Sequence, residues 1–181
     1  MKQLPRILRT STLAKTRMFR IEQLDLEFAN GTVVPYERLR SAGNGAVLVV
    51  PMLDPGTVLL IREYAAGVGR YELGLPKGRI EDGEDILEAA NREIQEEIGY
   101  GATRLQHIRS LSLAPGYIDH CTHVVLAQDL YPERRSGDEP EEIEVVPWRL
   151  DDIPSLLARD DANEARSIAA LFLVREMLAD G

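Results

Sequence analysis

The segment "GRIEDGEDILEAANREIQEEIGY", residues 78–100, decides how the rest of the chain is interpreted. Apolar side chains recur in it every three or four positions, which is the spacing of one helix face. This spacing predicts a helix from about residue 84 to residue 98, flanked by glycines that allow tight turns. The apolar stripe consists of Ile86, Leu87, Ala90, Ile94 and Ile98.

Three glutamates, Glu93, Glu96 and Glu97, lie within one turn of this helix. Like charges at i,i+4 destabilise a helix by about a few tenths of a kcal/mol per pair, so their concentration indicates a nearby cation. Hard carboxylate oxygens suit Mg2+ or Mn2+, which proteins hold together with waters and substrate phosphates. Arg92 can fix carboxylates by bidentate pairing. An acidic helix face taken alone is more often simply solvated.

Composition restricts the classes of function. The chain has 181 residues, a net charge of -9 and a pI of about 4.9, which disfavours non-specific binding to nucleic acid. Cys121 is the single cysteine, so an internal disulfide is excluded and a reducing compartment is expected. The N-terminal residues do not resemble a secretory signal, and the most apolar run, 46–53, is too short for a bilayer span. We therefore expect a soluble cytoplasmic protein without a membrane partner.

Strand patterns surround the acidic helix. Residues 17–40 predict a hairpin that turns at Asn30-Gly31. Residues 45–53 and 57–64 predict a second strand pair across "DPG", and further strands are expected at 105–113 and 122–128. A short helix and then a long one, residues 163–180, are expected near the end. The fold class is therefore α/β of the α+β type, with a mixed β-sheet sandwiched between α-helices.

The spacing of seven residues in the acidic helix and its flanks forms a longer pattern. These residues are Gly78, Glu84, Arg92, Glu93, Glu96, Glu97 and Gly99. At average residue frequencies they match by chance on the order of 10⁻⁸ per window. The pattern resembles the signature of the Nudix hydrolases, GX5EX7REUXEEXGU, with Tyr100 as an aromatic where an aliphatic is commoner.

The resemblance implies the Nudix fold and a set of metal ligands. Glu93 and Glu97 would be the principal ligands, and Glu96 would bind a further ion. The backbone carbonyl of Lys77 would complete the shell, while Glu84 and Arg92 would brace the loop against the helix. It also implies two or three Mg2+ or Mn2+ ions that neutralise a pyrophosphate and position a water for in-line attack.

Segments outside the helix are similar to the ADP-ribose pyrophosphatase branch of that family. They include "AVLVVPMLDPGTVLLIREY", "YELGLPKG" and "LAPGYIDH". Pro115 has the placement associated with ADP-ribose-type substrates, and Tyr117 resembles the placement associated with diadenosine polyphosphates. The resemblance implies hydrolysis of ADP-ribose, NADH and diadenosine polyphosphates to release AMP. It also implies a homodimer, with residues 1–42 as a β-hairpin dimerisation segment and residues 43–181 as the Nudix hydrolase domain.

The reaction needs a general base and contacts to the substrate. In the branch the base is usually a loop glutamate beyond the helix, so Glu139 and Glu141 are the candidates, each equally well an ordinary solvated acid. Candidate contacts to phosphate or ribose are Arg38, Arg40, Arg62, Glu72 and Lys77, and each has a surface role as the alternative. Adenine requires an aromatic partner, and the sequence leaves Tyr36, Tyr64 and Tyr71 open.

Two other functions remain alternatives. One is a nucleotide-sugar pyrophosphatase that prefers a GDP-sugar. The other is a non-catalytic nucleotide-sensing module on the same fold, against which the three intact glutamates weigh.

Overall fold

The computed structural model describes residues 2–41, 43–138 and 140–179, which form two β-sheets and three α-helices. The strands are β1 (Arg6–Lys15), β2 (Arg20–Glu27), β3 (Val33–Arg40), β4 (Ala46–Asp54), β5 (Thr57–Ala65), β6 (Arg70–Gly74), β7 (Lys77–Arg79), β8 (Tyr100–Ser112), β9 (Ile118–Asp119), β10 (Cys121–Pro132) and β11 (Glu144–Arg149). The helices are α1 (Ile86–Glu97), α2 (Ile153–Leu157) and α3 (Ala165–Ala179). None of the helices in these described ranges is long and apolar enough to cross a membrane.

The larger sheet carries the core. Its order is β11-β5-β4-β10-β8, with β6 added to β5 and β7 to β4, and β4 runs parallel to β10. Successive side chains of a strand point to opposite faces. Accordingly, Val47 and Val49 of β4 pack in the cluster that contains Ala90 and Ile94 of α1. Leu48 and Val50 belong to the cluster on the other face, which includes residues of α2 and α3.

This arrangement confirms the mixed sheet between helices. The predicted strand pair across "DPG" is β4 and β5, and Asp54 accepts a hydrogen bond from the Gly56 amide (2.8 Å) in the turn. The long helix predicted at 163–180 is α3, and residue 180 lies outside the described residues. The predicted strands at 105–113 and 122–128 are longer than expected, since β8 begins directly after α1 and β10 continues to Pro132.

The smaller sheet is formed by the N-terminal strands in the order β1-β2-β3-β9. The predicted hairpin is β2 and β3, and it turns at Gly31, whose φ is +81°. Strand β1, which the sequence did not predict, pairs antiparallel with β2. Nearly every residue of β1 is exposed, including Ile7 and Leu13.

Candidate active site

Helix α1 begins with a capping box. The Asp85 carboxylate accepts a hydrogen bond from the Leu87 amide (2.8 Å), and the Glu88 carboxylate accepts from the Asp85 amide (3.4 Å). These bonds satisfy helix donors that would otherwise lack partners. The helix ends at Glu97, and Gly99, two residues later, has a φ of +74°, which suits a residue without a Cβ. The acidic side chains are thus carried on a helix with defined ends, predicted correctly to within two residues.

Gly78 lies against the carboxylate of Glu93. A Cβ atom added to Gly78 would lie 2.0 Å from Oε1 and 2.1 Å from Cδ of Glu93. Glu93 is only 7% exposed, so its carboxyl group has little room to retreat. The glycine is therefore required because the carboxylate approaches the backbone of β7 so closely.

Arg92 joins the loop before the helix to the helix itself. Its Nε and Nη2 donate to the two carboxylate oxygens of Glu84 (2.7 and 3.0 Å), and Nη2 also donates to the Arg79 carbonyl (2.9 Å). Its Nη1 donates to Oε1 of Glu93 (2.8 Å) and Oε2 of Glu96 (3.0 Å). Hydrogen bonds from Arg92 in turn hold the pKa of Glu84 below its ordinary value. The guanidinium therefore fixes three carboxylates in position.

Glu97 is the most buried of the three helix glutamates that the sequence singled out, at 4% exposure. Burial raises its pKa to about 9, although the positive charge of Lys77 acts in the opposite direction. Its Oε2 accepts a hydrogen bond from the Lys77 amide (3.0 Å). A carboxylate buried in this way costs free energy unless an opposite charge favours its ionised form.

The predicted convergence of Glu93, Glu96 and Glu97 on a metal ion stays a prediction. Among the described residues, no group of three or more His, Cys, Asp or Glu side chains is arranged to hold a metal ion. The reason is that Glu93 and Glu96 direct an oxygen to Arg92, whereas Glu97 directs one to the Lys77 amide. The donors nevertheless fit a divalent cation, because they are hard oxygen ligands and Glu97 is a deeply buried acid.

An open cavity of about 1050 Å³ lies over this part of α1. A second cavity, of about 480 Å³, shares four lining residues with it, namely Glu96, Glu97, Ser136 and Gly137. Glu93, Arg92, Lys77 and Gly78 line the larger cavity, and Glu141 lines the smaller one. The acidic helix, the "PKG" turn and the loop between β10 and β11 therefore line two neighbouring cavities.

Two arginines that lie near the C-terminal end of α1 were not predicted from the sequence. Arg134 Nη1 donates to the Glu96 carbonyl (3.4 Å), and the Arg135 amide donates to the Gln95 carbonyl (3.0 Å). Both line the smaller cavity. They place positive charge at the C-terminal end of α1, where the helix dipole favours it. Only their position in a charged loop after a strand could have suggested this role.

Of the two candidate bases, Glu141 is the one that lies among the described residues. Glu141 accepts a hydrogen bond at Oε1 from the hydroxyl of Tyr71 (2.6 Å) and lines the smaller cavity. Glu139 lies outside the described residues. The structure therefore brings Glu141 to the space beside Glu96 and Glu97.

The arginine candidates are engaged in ion pairs. Arg62 donates through Nε to Glu144 (2.8 Å) and also pairs with Asp161, and it does not line any of the described cavities. Arg38 donates to the buried Glu22 (2.9 Å). Arg40 pairs with Asp119 at 3.4 Å in the smaller sheet. Within one chain, these guanidinium groups bind carboxylates of the protein.

A third cavity, of about 400 Å³, shares Glu63 and Lys77 with the large one. Lys77 Nζ pairs with Glu63 at 2.7 Å, between the two spaces. Glu72 and Tyr64 line this third cavity, together with apolar groups of Ile61, Ala65 and Val68. One Glu72 oxygen accepts from Arg70 (2.5 Å), and the other accepts from the Asn163 amide (3.3 Å).

The remaining candidates lie elsewhere. Tyr36 packs beside Phe28 in the smaller sheet, with ring centroids 6.2 Å apart. Pro115 and Tyr117 belong to the exposed loop between β8 and β9, and the Tyr117 carbonyl accepts from the Leu39 amide (2.8 Å). Neither lines one of the three described cavities.

Comparison with known proteins agrees with this geometry. A family model described as NUDIX domain matches residues 44–172, and a NudE-type Nudix hydrolase N-terminal domain matches residues 5–38. The ADP compounds hydrolase NudE of Escherichia coli (strain K12) is 50% identical over 176 residues, covering 97% of this chain and 94% of that protein. The ADP-ribose pyrophosphatase of Bacillus subtilis (strain 168) is 31% identical, and the match covers 91% of each chain. A crystal structure of an ADP compounds hydrolase superposes with a TM-score of 0.93 at 49% identity, covering 99% of this chain and 97% of the other.

Proposed function

Because this chain belongs to the Nudix hydrolase family, we propose that it cleaves the pyrophosphate bond of ADP-linked compounds and releases AMP. The substrates in this class are ADP-ribose, NADH and diadenosine polyphosphates. The observation that carries the proposal is the placement of Glu93 and Glu97, which are buried, lie against Gly78 and the Lys77 amide respectively, and line a large open cavity. The full-length similarity to an ADP compounds hydrolase supports the same substrate class.

Nudix hydrolases generally depend on divalent metal ions. We propose Mg2+, or Mn2+ in its place, with two or three ions held by Glu93, Glu96 and Glu97 and by the Lys77 carbonyl. The ions would neutralise the pyrophosphate, orient a water and stabilise the departing oxygen. Arg92 would hold Glu93 and Glu96 in position through its Nη1. The guanidinium is itself fixed by Glu84, which accepts hydrogen bonds from Nε and Nη2.

A base must take the proton of the attacking water. Glu141 is our first candidate, because its carboxylate lies in the wall of the cavity that Glu96 and Glu97 also line. Glu139 remains a second candidate from the same loop. Arg134 and Arg135, which line the same cavity, offer positive charge to the substrate phosphates.

The third cavity is proposed to hold a nucleoside. Its volume of about 400 Å³ and its partly apolar wall suit a base and ribose, and Tyr64 offers a ring for stacking. Glu72 would accept from ribose hydroxyls, as the sequence suggested. Lys77 lies between this cavity and the large one, where it can reach a phosphate of the same ligand.

The assembly is proposed to be a homodimer formed through the smaller sheet, with residues 1–42 as the dimerisation segment and residues 43–181 as the catalytic domain. Exposed Ile7 and Leu13 on β1, and Met18 and Phe19 in the turn that follows it, support this, since large exposed apolar side chains favour burial against a partner. Arg38, Arg40 and Pro115 would then act at the site of the other subunit. We also propose a cytoplasmic location, in keeping with the single cysteine.

A substrate panel with Mg2+ tests the function. ADP-ribose, NADH, diadenosine triphosphate and GDP-mannose would be compared, and phosphate products would be analysed after reaction in ¹⁸O-labelled water. We expect AMP from each ADP compound and a lower rate with GDP-mannose. A dominant rate with GDP-mannose would establish the nucleotide-sugar alternative, and binding of every ligand without turnover would establish the sensing module.

A further inference from the structure

The hydroxyl of Tyr71 joins two parts of the chain that face different cavities. Tyr71 lies on β6, and its hydroxyl donates to Glu141 Oε1 at 2.6 Å. Glu141 belongs to the loop between β10 and β11, 70 positions away in sequence. Hydrogen bonds to an ionised acceptor are stronger than those between neutral groups. This contact is therefore a specific tie between the strand and the loop.

The first half of that loop is held by α1. The Glu133 amide donates to the Gly99 carbonyl (3.0 Å), and the Arg135 amide donates to the Gln95 carbonyl (3.0 Å). Beyond Arg135, in the described residues 136–138 and 140–143, the bond to Tyr71 is the one hydrogen bond that holds the loop. The position of Glu141 therefore depends on the Tyr71 hydroxyl.

The ring of Tyr71 contacts the other cavity indirectly. It packs edge-on against Tyr64, with ring centroids 5.5 Å apart and planes inclined at 67°. Tyr64 lines the proposed nucleoside cavity, whereas Tyr71 lines none of the three described cavities. Tyr71 is thus placed between the residue that faces the nucleoside and the acid that faces Glu96 and Glu97.

We propose that Tyr71 is a positioning residue for hydrolysis, which holds Glu141 beside the reacting phosphate and does not itself stack on the nucleobase. The inference rests on the proposed function, in which Glu141 takes a proton from water. Because the hydroxyl acts through Glu141, its loss lowers turnover and leaves substrate binding unchanged. The contact with Tyr64 additionally links the placement of the loop to occupation of the nucleoside cavity.

Tyr71→Phe is the decisive variant, since it removes the hydroxyl and keeps the ring. With ADP-ribose and Mg2+ we expect kcat to fall about tenfold while KM stays within about twofold of wild type. Glu141→Gln is expected to lower kcat further. In the double variant, Tyr71→Phe should add nothing to the effect of Glu141→Gln, because both changes remove the same function. Tyr131→Phe is the matched control, since the Tyr131 hydroxyl makes no hydrogen bond to the residues that the structure describes.

The other outcomes overturn the proposal. One is a normal kcat in Tyr71→Phe, and another is an undiminished effect of that change in the Glu141→Gln background. A raised KM in Tyr71→Ala together with a normal Tyr71→Phe enzyme would instead show stacking on the nucleobase. Absence of hydrolysis by the wild-type protein contradicts the proposed function itself, and measuring the wild type first separates that result from failure of the inference about Tyr71.

Discussion

The backbone of Gly78 and the carboxylate of Glu93 are so close that a Cβ atom on residue 78 would overlap the carboxylate. A Cβ at Gly78 would lie 2.0 Å from Glu93 Oε1, a distance that real Cβ atoms do not show. Gly78 is not in the left-handed region of backbone conformation. Glycine is therefore needed here because there is no space for a Cβ atom beside Glu93. The relationship connects the first residue of the sequence pattern to one of its proposed metal ligands.

Gly78→Ala should displace Glu93 and so impair catalysis. A misplacement of about 1 Å in a catalytic group costs about 10²-fold in rate, so we expect kcat/KM for ADP-ribose to fall by about that factor. Steady-state kinetics at saturating Mg2+ measures the effect. Gly116→Ala is the control, because nothing lies within 4 Å of a Cβ there. Near-normal kinetics of Gly78→Ala would mean that the position of Glu93 is unimportant.

Glu84→Gln should weaken the brace on Arg92. The glutamine keeps the shape of the side chain but loses the charge and one of the two acceptor oxygens that Arg92 uses. We expect the free energy of unfolding to fall by about 2 kcal/mol, in line with hydrogen bonds to charged groups. Urea denaturation measures this, and Mg2+ titration of activity should show a higher requirement. Unchanged values in both experiments would contradict the bracing role.

Ser167→Ala should destabilise the junction between α3 and the turn before Lys77. The Ser167 hydroxyl accepts from the fully buried Leu75 amide (3.0 Å), and the alanine would leave that amide without a partner. Such a loss costs about 1–3 kcal/mol. Urea denaturation is again the measurement, with the exposed Ser155→Ala as control. Equal stability of the two variants would contradict the contact.

Glu164→Gln should reduce the sensitivity of stability to acid. Burial opposes ionisation of Glu164, but hydrogen bonds from Arg166 and Ser167 outweigh it, so its pKa in the folded protein is lowered. A depressed folded pKa stabilises the fold above the unfolded pKa, and that stabilisation is lost as pH falls through the folded value.

The variant should therefore be less stable than wild type at neutral pH, and the difference should shrink on acidification below about pH 4, where the unfolded carboxyl titrates. Thermal unfolding across that range measures it, with Glu133→Gln as control. A difference that stays constant with pH would contradict this role for Glu164.

Leu13→Glu should dissociate the proposed homodimer. Leu13 is 50% exposed on β1, and a charge there would be buried unpaired if a partner covers this sheet. We expect the variant to sediment as a monomer at concentrations where wild type sediments as a dimer. Thr12→Glu on the same strand is the control for a general effect of charge. A monomeric wild-type protein would contradict the proposed homodimer.

Sequence periodicity predicted the elements whose stability is local or whose burial is complete. Helix α1 was predicted because its apolar stripe and its flanking glycines all lie within 22 positions, and β4 because its run is buried on both faces. Strand β1 was missed, since almost all its residues are exposed and its pairing with β2 alone makes it a strand.

The site divides in a similar way. The glutamates of α1 follow from helical spacing, whereas the bracing of Glu84 by Arg92 was expected from the resemblance to the Nudix signature. The partners of Arg62 could not be predicted, because Glu144 and Asp161 lie 82 and 99 positions away and meet it only in the folded protein. The same holds for Tyr71, which the sequence left as one of three candidates for stacking on adenine and whose hydroxyl donates to Glu141.

The central claim is that the acidic turn of α1 binds the ions that allow water to split a diphosphate. It is tested most directly by a crystal structure of the protein soaked with Mg2+ and a non-hydrolysable ADP-ribose analogue. We predict at least one ion about 2.1 Å from a Glu97 carboxylate oxygen, in contact with a phosphate oxygen of the analogue. An analogue bound in the cavity with no ion at Glu93, Glu96 or Glu97 would contradict the account.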